Sequence, residues 1–156
     1  MAVGWMDDIA DADDYFFLER IASSGWDDLA DDAAKTRCLN NAYNRIYYSS
    51  KFDVPLVGDA TAAQLVILKK AQCEMAEYLA IHLADEDRRK GLISQGVVSA
   101  GIVKESYDKD RLNDLPVPPF VEAMLEAAGF TTEKAFGFVG IDRDEDETVD
   151  YDATDL

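Results

Sequence analysis

A chain of 156 residues with 32 acidic and 15 basic side chains carries a formal charge of −17, so duplex DNA, gripped mainly through lysine and arginine on its phosphates, is a poor partner. The length suits one domain with a sizeable core, and an apolar share of 48% is ordinary for a globular protein. No apolar run has the length of a membrane span, the first residues lack a signal-peptide pattern, and Cys38 and Cys73 show no metal-ligand spacing, which reads as two small buried hydrophobes in a reducing compartment.

The charge is unevenly placed. Residues 1–32 hold ten acids and only Arg20 as a base, giving −9; residues 141–156 hold eight acids and only Arg143, giving −7. The remaining fourteen acids and thirteen bases leave the middle near neutral at −1. An ordinary core is flanked by two acidic ends, most simply explained as solubility.

In chain order, residues 1–12 form an N-terminal arm. Trp5 and Met6 give it apolar weight that a free terminus does not need, and we assign both to subunit or partner contacts. The spacing predicts a short helix over Asp11–Ile21 with Tyr15, Phe16, Leu18 and Ile21 on its apolar side. Ser23-Ser24-Gly25 ends it, and Trp26 anchors the turn in the core. A second helix, capped by Asp31 or Asp32, runs to about Ser49 with Leu39, Ala42, Tyr43 and Ile46 inward. Tyr47 and Tyr48 are adjacent and must point to different sides, so one is available for a partner. Lys51–Ala60 is a loop carrying Phe52, also assigned to contacts.

The stretch from Thr61 to Leu83 is expected to be the central helix. Thr61 and Gln64 have capping-box spacing, and Leu65, Leu68, Gln72, Met75, Leu79 and Leu83 form one stripe. Val66, Ile67, Cys73 and Ile81 widen the apolar surface beyond one seam, while Lys70 and Glu74 are spaced to pair. The helix should end near Asp85, with Ala84–Gly91 a charged surface segment. Leu92–Tyr107 then reads as a small β-hairpin whose Val97, Val98, Ile102 and Val103 need a neighbouring subunit for support. Pro118 or Pro119 opens a last helix, Gly129 closes it, and Phe130 falls back on Leu125. Beyond it lies an extended acidic tail, residues 131–156. Phe130, Phe136, Phe138, Val139 and Ile141 form a docking strip ahead of the acidic run.

The fold expected is therefore mainly α: a small helical bundle around one long central helix, with a short hairpin and an extended C-terminal arm. Its core is Trp26, Leu39, Ile46, Leu65, Leu68, Met75 and Leu79. Catalytic constellations are missing from the sequence. His82 is the only histidine, and a Cys38–His82 nucleophile pair lacks an orienting group. Asp142–Asp146 starts like a calcium loop, but the sixth position is Glu147 and the twelfth Ala153. No phosphate-loop, dinucleotide or zinc-protease motif occurs. We expect no enzyme, no cofactor and no metal.

From Tyr15 onward the order of features resembles the head–tail connector (adaptor) proteins of tailed bacteriophages. The matching pieces are the aromatic first helix Tyr15–Arg20, Trp26 in the next loop, Lys35…Leu39, Ala42-Tyr43…Ile46, and the aromatic loop after the second helix. The alanine-rich Gln72–Ala80, the Gly-Val hairpin over 96–107 and the proline-started Leu115–Phe130 complete the series. A closely similar phage family is labelled DnaT-like single-stranded-DNA-binding. The resemblance covers residues 13–130. It implies a virion protein of the neck, first met in the host cytoplasm, that assembles with copies of itself into a ring, expected to be twelve-fold. The ring would sit under the portal protein, extend the DNA channel without gripping DNA, and dock the next neck or tail protein. Two other readings fit the composition: a single-stranded-DNA-binding module, and an acidic DNA mimic that blocks a host protein.

Overall fold

The structure, a computed structural model, describes residues 2–96, 99–100, 105–106 and 116–132. Five helices follow one another in these residues: α1 (Ile9–Glu19), α2 (Ser24–Asp27), α3 (Asp32–Tyr47), α4 (Ala62–Ser94) and α5 (Pro119–Ala127). Two short strands, β1 (Ser99–Ala100) and β2 (Glu105–Ser106), precede α5 and pair antiparallel, Ser99 with Ser106 and Ala100 with Glu105. The expected hairpin is present, but Leu92–Ser94 belong to α4; Val97, Val98, Ile102 and Val103 lie outside the described residues.

The fold is the expected bundle around one long helix. At 33 residues, α4 is about 50 Å long at 1.5 Å per residue, and every other helix packs on it. Its start is the anticipated capping box: the Gln64 amide donates to Thr61 Oγ1 at 3.3 Å and the Thr61 amide to Gln64 Oε1 at 2.9 Å. Its end differs from the expectation by more than two turns. Ala84–Gly91 is helical because charge does not break a helix, and four of its six charged side chains are paired along and across the turns. Glu86 receives Lys90 from one turn on and Arg45 from α3, and Asp85 lies 3.7 Å from Arg88. The helix stops only at Gly96, whose φ of +84° ends the run.

The core joins Trp26, Leu39, Ile46, Leu68, Met75 and Leu79 as expected, with Leu65 partly buried at its edge. Phe16 stacks on Trp26 at 4.8 Å. Helix α5 closes as read: Gly129 has φ +79°, its amide donates to Glu126 O, and the Phe130 amide donates to Leu125 O.

Candidate protein-docking surface

Several residues assigned to partners are in fact claimed by the chain itself. Trp5 and Met6 are buried, at 1% and 2% exposure. The tight turn Val3–Met6 presses Trp5 against Tyr43 at 4.5 Å. Gln72, fully buried in the middle of α4, holds that turn. Its Oε1 accepts from the Trp5 amide at 2.9 Å, and its Nε2 donates to Val3 O at 2.8 Å and to Leu39 O at 3.0 Å. An amide in the apolar stripe is tolerated because its polar atoms are satisfied. The arm is part of the body.

Phe52 and Phe130 are corrected likewise. Both are buried, Phe130 at 4%, because the chain after α5 pairs with the chain after α3. The Asp53 amide donates to Phe130 O at 2.7 Å and the Thr132 amide to Lys51 O at 3.0 Å. Phe136, Phe138, Val139 and Ile141 lie outside the described residues. Of the tyrosine pair, Tyr47 stacks on Tyr43 at 5.4 Å and Tyr48 is 70% exposed, so Tyr48 is the one left for a partner.

The N-terminal acids also find internal partners. Lys69 bridges Asp7 and Asp11, Lys70 meets Glu19, and Lys35 meets Asp13. Lys70 therefore does not pair with Glu74, which instead accepts from the Tyr15 hydroxyl at 2.7 Å and faces Arg20. Burial and that hydrogen bond push the Tyr15 phenol above its ordinary value. The buried Glu77 carboxylate accepts from the Gly25 and Trp26 amides at 3.1 and 2.7 Å, fixing the short helix α2. Four of the ten acids in residues 1–32, Asp7, Asp11, Asp13 and Glu19, fasten α1 and the turn before it to α3 and α4.

No catalytic pair is assembled from Cys38 and His82. The Cys38 thiol donates to Ala76 O at 3.2 Å, and burial pushes it up to about 11, so it stays protonated near neutral pH. His82 is exposed against Tyr78. Among the described residues no group of three or more His, Cys, Asp or Glu is placed to hold a metal ion. No described helix is long and apolar enough to cross a membrane.

The most exposed large apolar side chains among the described residues lie on and just after α1. The reading of Leu18 and Ile21 as inward is overturned: Ala12 and Phe16 take the inner face, leaving Phe17 and Leu18 exposed at 85% and 74% and Ile21, just past the helix, fully exposed. Asp14, Phe17 and Leu18 share one outward face by helical spacing. A second feature lies between α3 and α4, a groove of about 460 Å³ with Cys38, Leu79 and Leu83 along it and Arg37 and Asn41 on its α3 side. Its α3 side belongs to a stretch, residues 33–52, without one aspartate or glutamate. That gap in a chain with 32 acids was readable in the sequence, as was the aromatic doublet Phe16-Phe17, of which one ring only can face the core.

No protein-family model, curated protein or solved structure matches this chain.

Proposed function

We propose that this chain is a structural, non-enzymatic head–tail adaptor of a tailed phage: a subunit of a ring beneath the portal protein that extends the DNA channel and docks the next neck or tail protein. The observation that carries the reading is the exposed apolar run Phe17, Leu18 and Ile21 on a chain that closes its core by itself. A patch of this kind, bordered by polar groups, marks a protein interface. The order of elements agrees with the resemblance, with an aromatic first helix, a tryptophan turn, a long central helix, a hairpin and a proline-started last helix.

The C-terminal strip Phe136–Ile141 serves in this reading as the portal-docking segment. Since Phe130, Thr131 and Thr132 are built into the body, a deletion that tests it must begin at residue 133. Mixed with purified portal particles, the full chain should co-sediment with them, and the chain lacking 133–156 should not while keeping its melting temperature. Retained binding by the shortened chain removes the docking strip.

One observation favours the single-stranded-DNA alternative: the acid-free stretch 33–52 presents Arg37, Asn40, Asn44 and Tyr48 outward, groups that bind phosphate or stack on bases. A gel shift at low salt decides it. No retardation dismisses the alternative, and retardation that fades with salt replaces the adaptor reading.

A further inference from the structure

We infer that the outer face of α1 and the hollow beside it dock a basic amphipathic segment of another protein, one that sets lysines or arginines next to leucine-like side chains. The apolar seats are Phe17, Leu18 and Ile21, and the anionic ones are Asp14 and Asp27. This rests on the adaptor reading and deepens it, giving the neck or tail protein that docks there a chemistry and a landing face.

Charge complementarity selects the occupant. Asp14 lies three and four residues before Phe17 and Leu18, so a carboxylate and two exposed apolar side chains share one helical face. Beside them is a hollow of about 360 Å³, lined by Phe17, Ile21 and Trp26 together with Asp13 and Asp27. Apolar walls with carboxylates among them suit a long basic side chain, whose stem packs on the walls while its charged head meets the acid. The two cations of the neighbourhood are already engaged. Lys35 meets Asp13 at 2.7 Å, and Arg20, which also lines the hollow, turns to Glu74 and Glu77 at 3.5 and 3.9 Å. Asp27 accepts from the Ser23 hydroxyl at 2.9 Å, and neither it nor Asp14 faces a basic side chain among the described residues. Apolar surface and uncompensated negative charge are therefore presented together. A second copy, itself at −17, is repelled by that field, as is an anionic membrane, and a cationic partner is drawn in by it.

The test measures binding of the full chain to labelled peptides by fluorescence anisotropy at about 0.15 M salt, where long-range attraction is screened. The probes are a helical leucine–lysine peptide, its leucine–glutamate counterpart, and a serine–lysine peptide with the same charge and no apolar face. The leucine–lysine peptide should bind, the leucine–glutamate peptide should not, and the serine–lysine peptide should bind about tenfold more weakly or worse. Three double variants locate the site; all alter exposed residues, and circular dichroism melts confirm that they fold. L18S/I21S removes apolar surface without changing charge and should weaken binding about tenfold or more. D14N/D27N should weaken it about threefold or more. D59N/D87N deletes the same number of charges elsewhere and should leave binding nearly unchanged. The inference is overturned if the wild-type chain ignores the leucine–lysine peptide, if the leucine–glutamate or serine–lysine peptide binds as tightly, if L18S/I21S binds as tightly as wild type, or if D59N/D87N costs as much as D14N/D27N. Self-association of the wild-type chain that L18S/I21S abolishes, seen by light scattering, gives the face to a second copy and likewise overturns it. A chain that ignores the peptide yet co-sediments with portal particles leaves the adaptor reading standing without this partner. Peptide binding by a chain that ignores portal particles upholds the docking chemistry and removes the adaptor.

Discussion

At the scale of single residues, Gln72 decides more than any other. It sits among leucines at the middle of α4 and ties three segments, the arm at Val3 and Trp5, α3 at Leu39, and α4 itself. Removing its amide leaves buried donors and acceptors unpaired and a void beside Trp5. Q72A should therefore cost about 3 kcal/mol in urea unfolding. Gly4 tests the same clasp from the other side. Its φ is +67°, and a Cβ there would lie 2.7 Å from Gln72 Nε2 and 2.8 Å from Tyr43 Cβ. G4A should destabilise by about 2 kcal/mol or more, with loss of the Trp5 environment seen by fluorescence.

Glu86 supplies the residue-scale pH prediction. Burial opposes its charge, but hydrogen bonds from Lys90 and Arg45 outweigh that and hold the carboxyl below its ordinary 4.5. A carboxyl with a lowered folded-state pKa contributes stability that is fully present above its unfolded value and is lost as the pH falls through the folded one. E86Q should thus be less stable than wild type by about 1 kcal/mol at neutral pH, and the difference should shrink below pH 4.5. Parallel urea titrations at several pH values check this. A gap that stays constant into acid would show that the pair contributes nothing electrostatic.

At the scale of elements, the helix ends were the most legible features. Thr61 with Gln64, Asp31 ahead of α3, Pro119 at the start of α5 and Gly129 at its end all do what their chemistry requires. T61A and G129A should each cost about 1 kcal/mol by thermal unfolding. For Gly129 the cost is purely conformational, since nothing lies within 4 Å of the added Cβ. The misread end of α4 has a physical reason. A run of charges looks like a loop by composition, yet Glu, Arg and Lys are good helix formers. Only the partner across the bundle, Arg45 for Glu86, shows that the segment is fastened. The inward face of α1 was misjudged for a related reason. Tyr15, Phe16, Phe17, Leu18 and Ile21 surround the helix, and periodicity alone does not say which side meets α4.

At the scale of the whole molecule, the charge of −17 divides into two parts. Three of the ten N-terminal acidic charges are offset by Lys35, Lys69 and Lys70, and exposed pairs of this kind are worth little individually. The rest makes like molecules repel. Self-association through an apolar face should therefore strengthen as salt rises from low to about 0.15 M, where the screening length falls to about 8 Å. Nucleic-acid binding would respond in the opposite sense. One salt series read by light scattering and by gel shift separates the two functions, and association that weakens with salt would count against an apolar interface between copies.

Local chemistry written in the sequence determined the helical class, the long central helix with its cap, most of the core stripe, and the glycine stop that folds Phe130 back. These depend on neighbours within a turn or two of the chain. Which greasy residues belong to the body was decided only by tertiary structure. Trp5, Met6, Phe52 and Phe130 were assigned to partners until the Gln72 clasp and the pairing of residues 51–53 with 130–132 buried them. Burial is a property of segments meeting across tens of residues, and the same apolar side chain looks identical in sequence whether its own chain or another covers it.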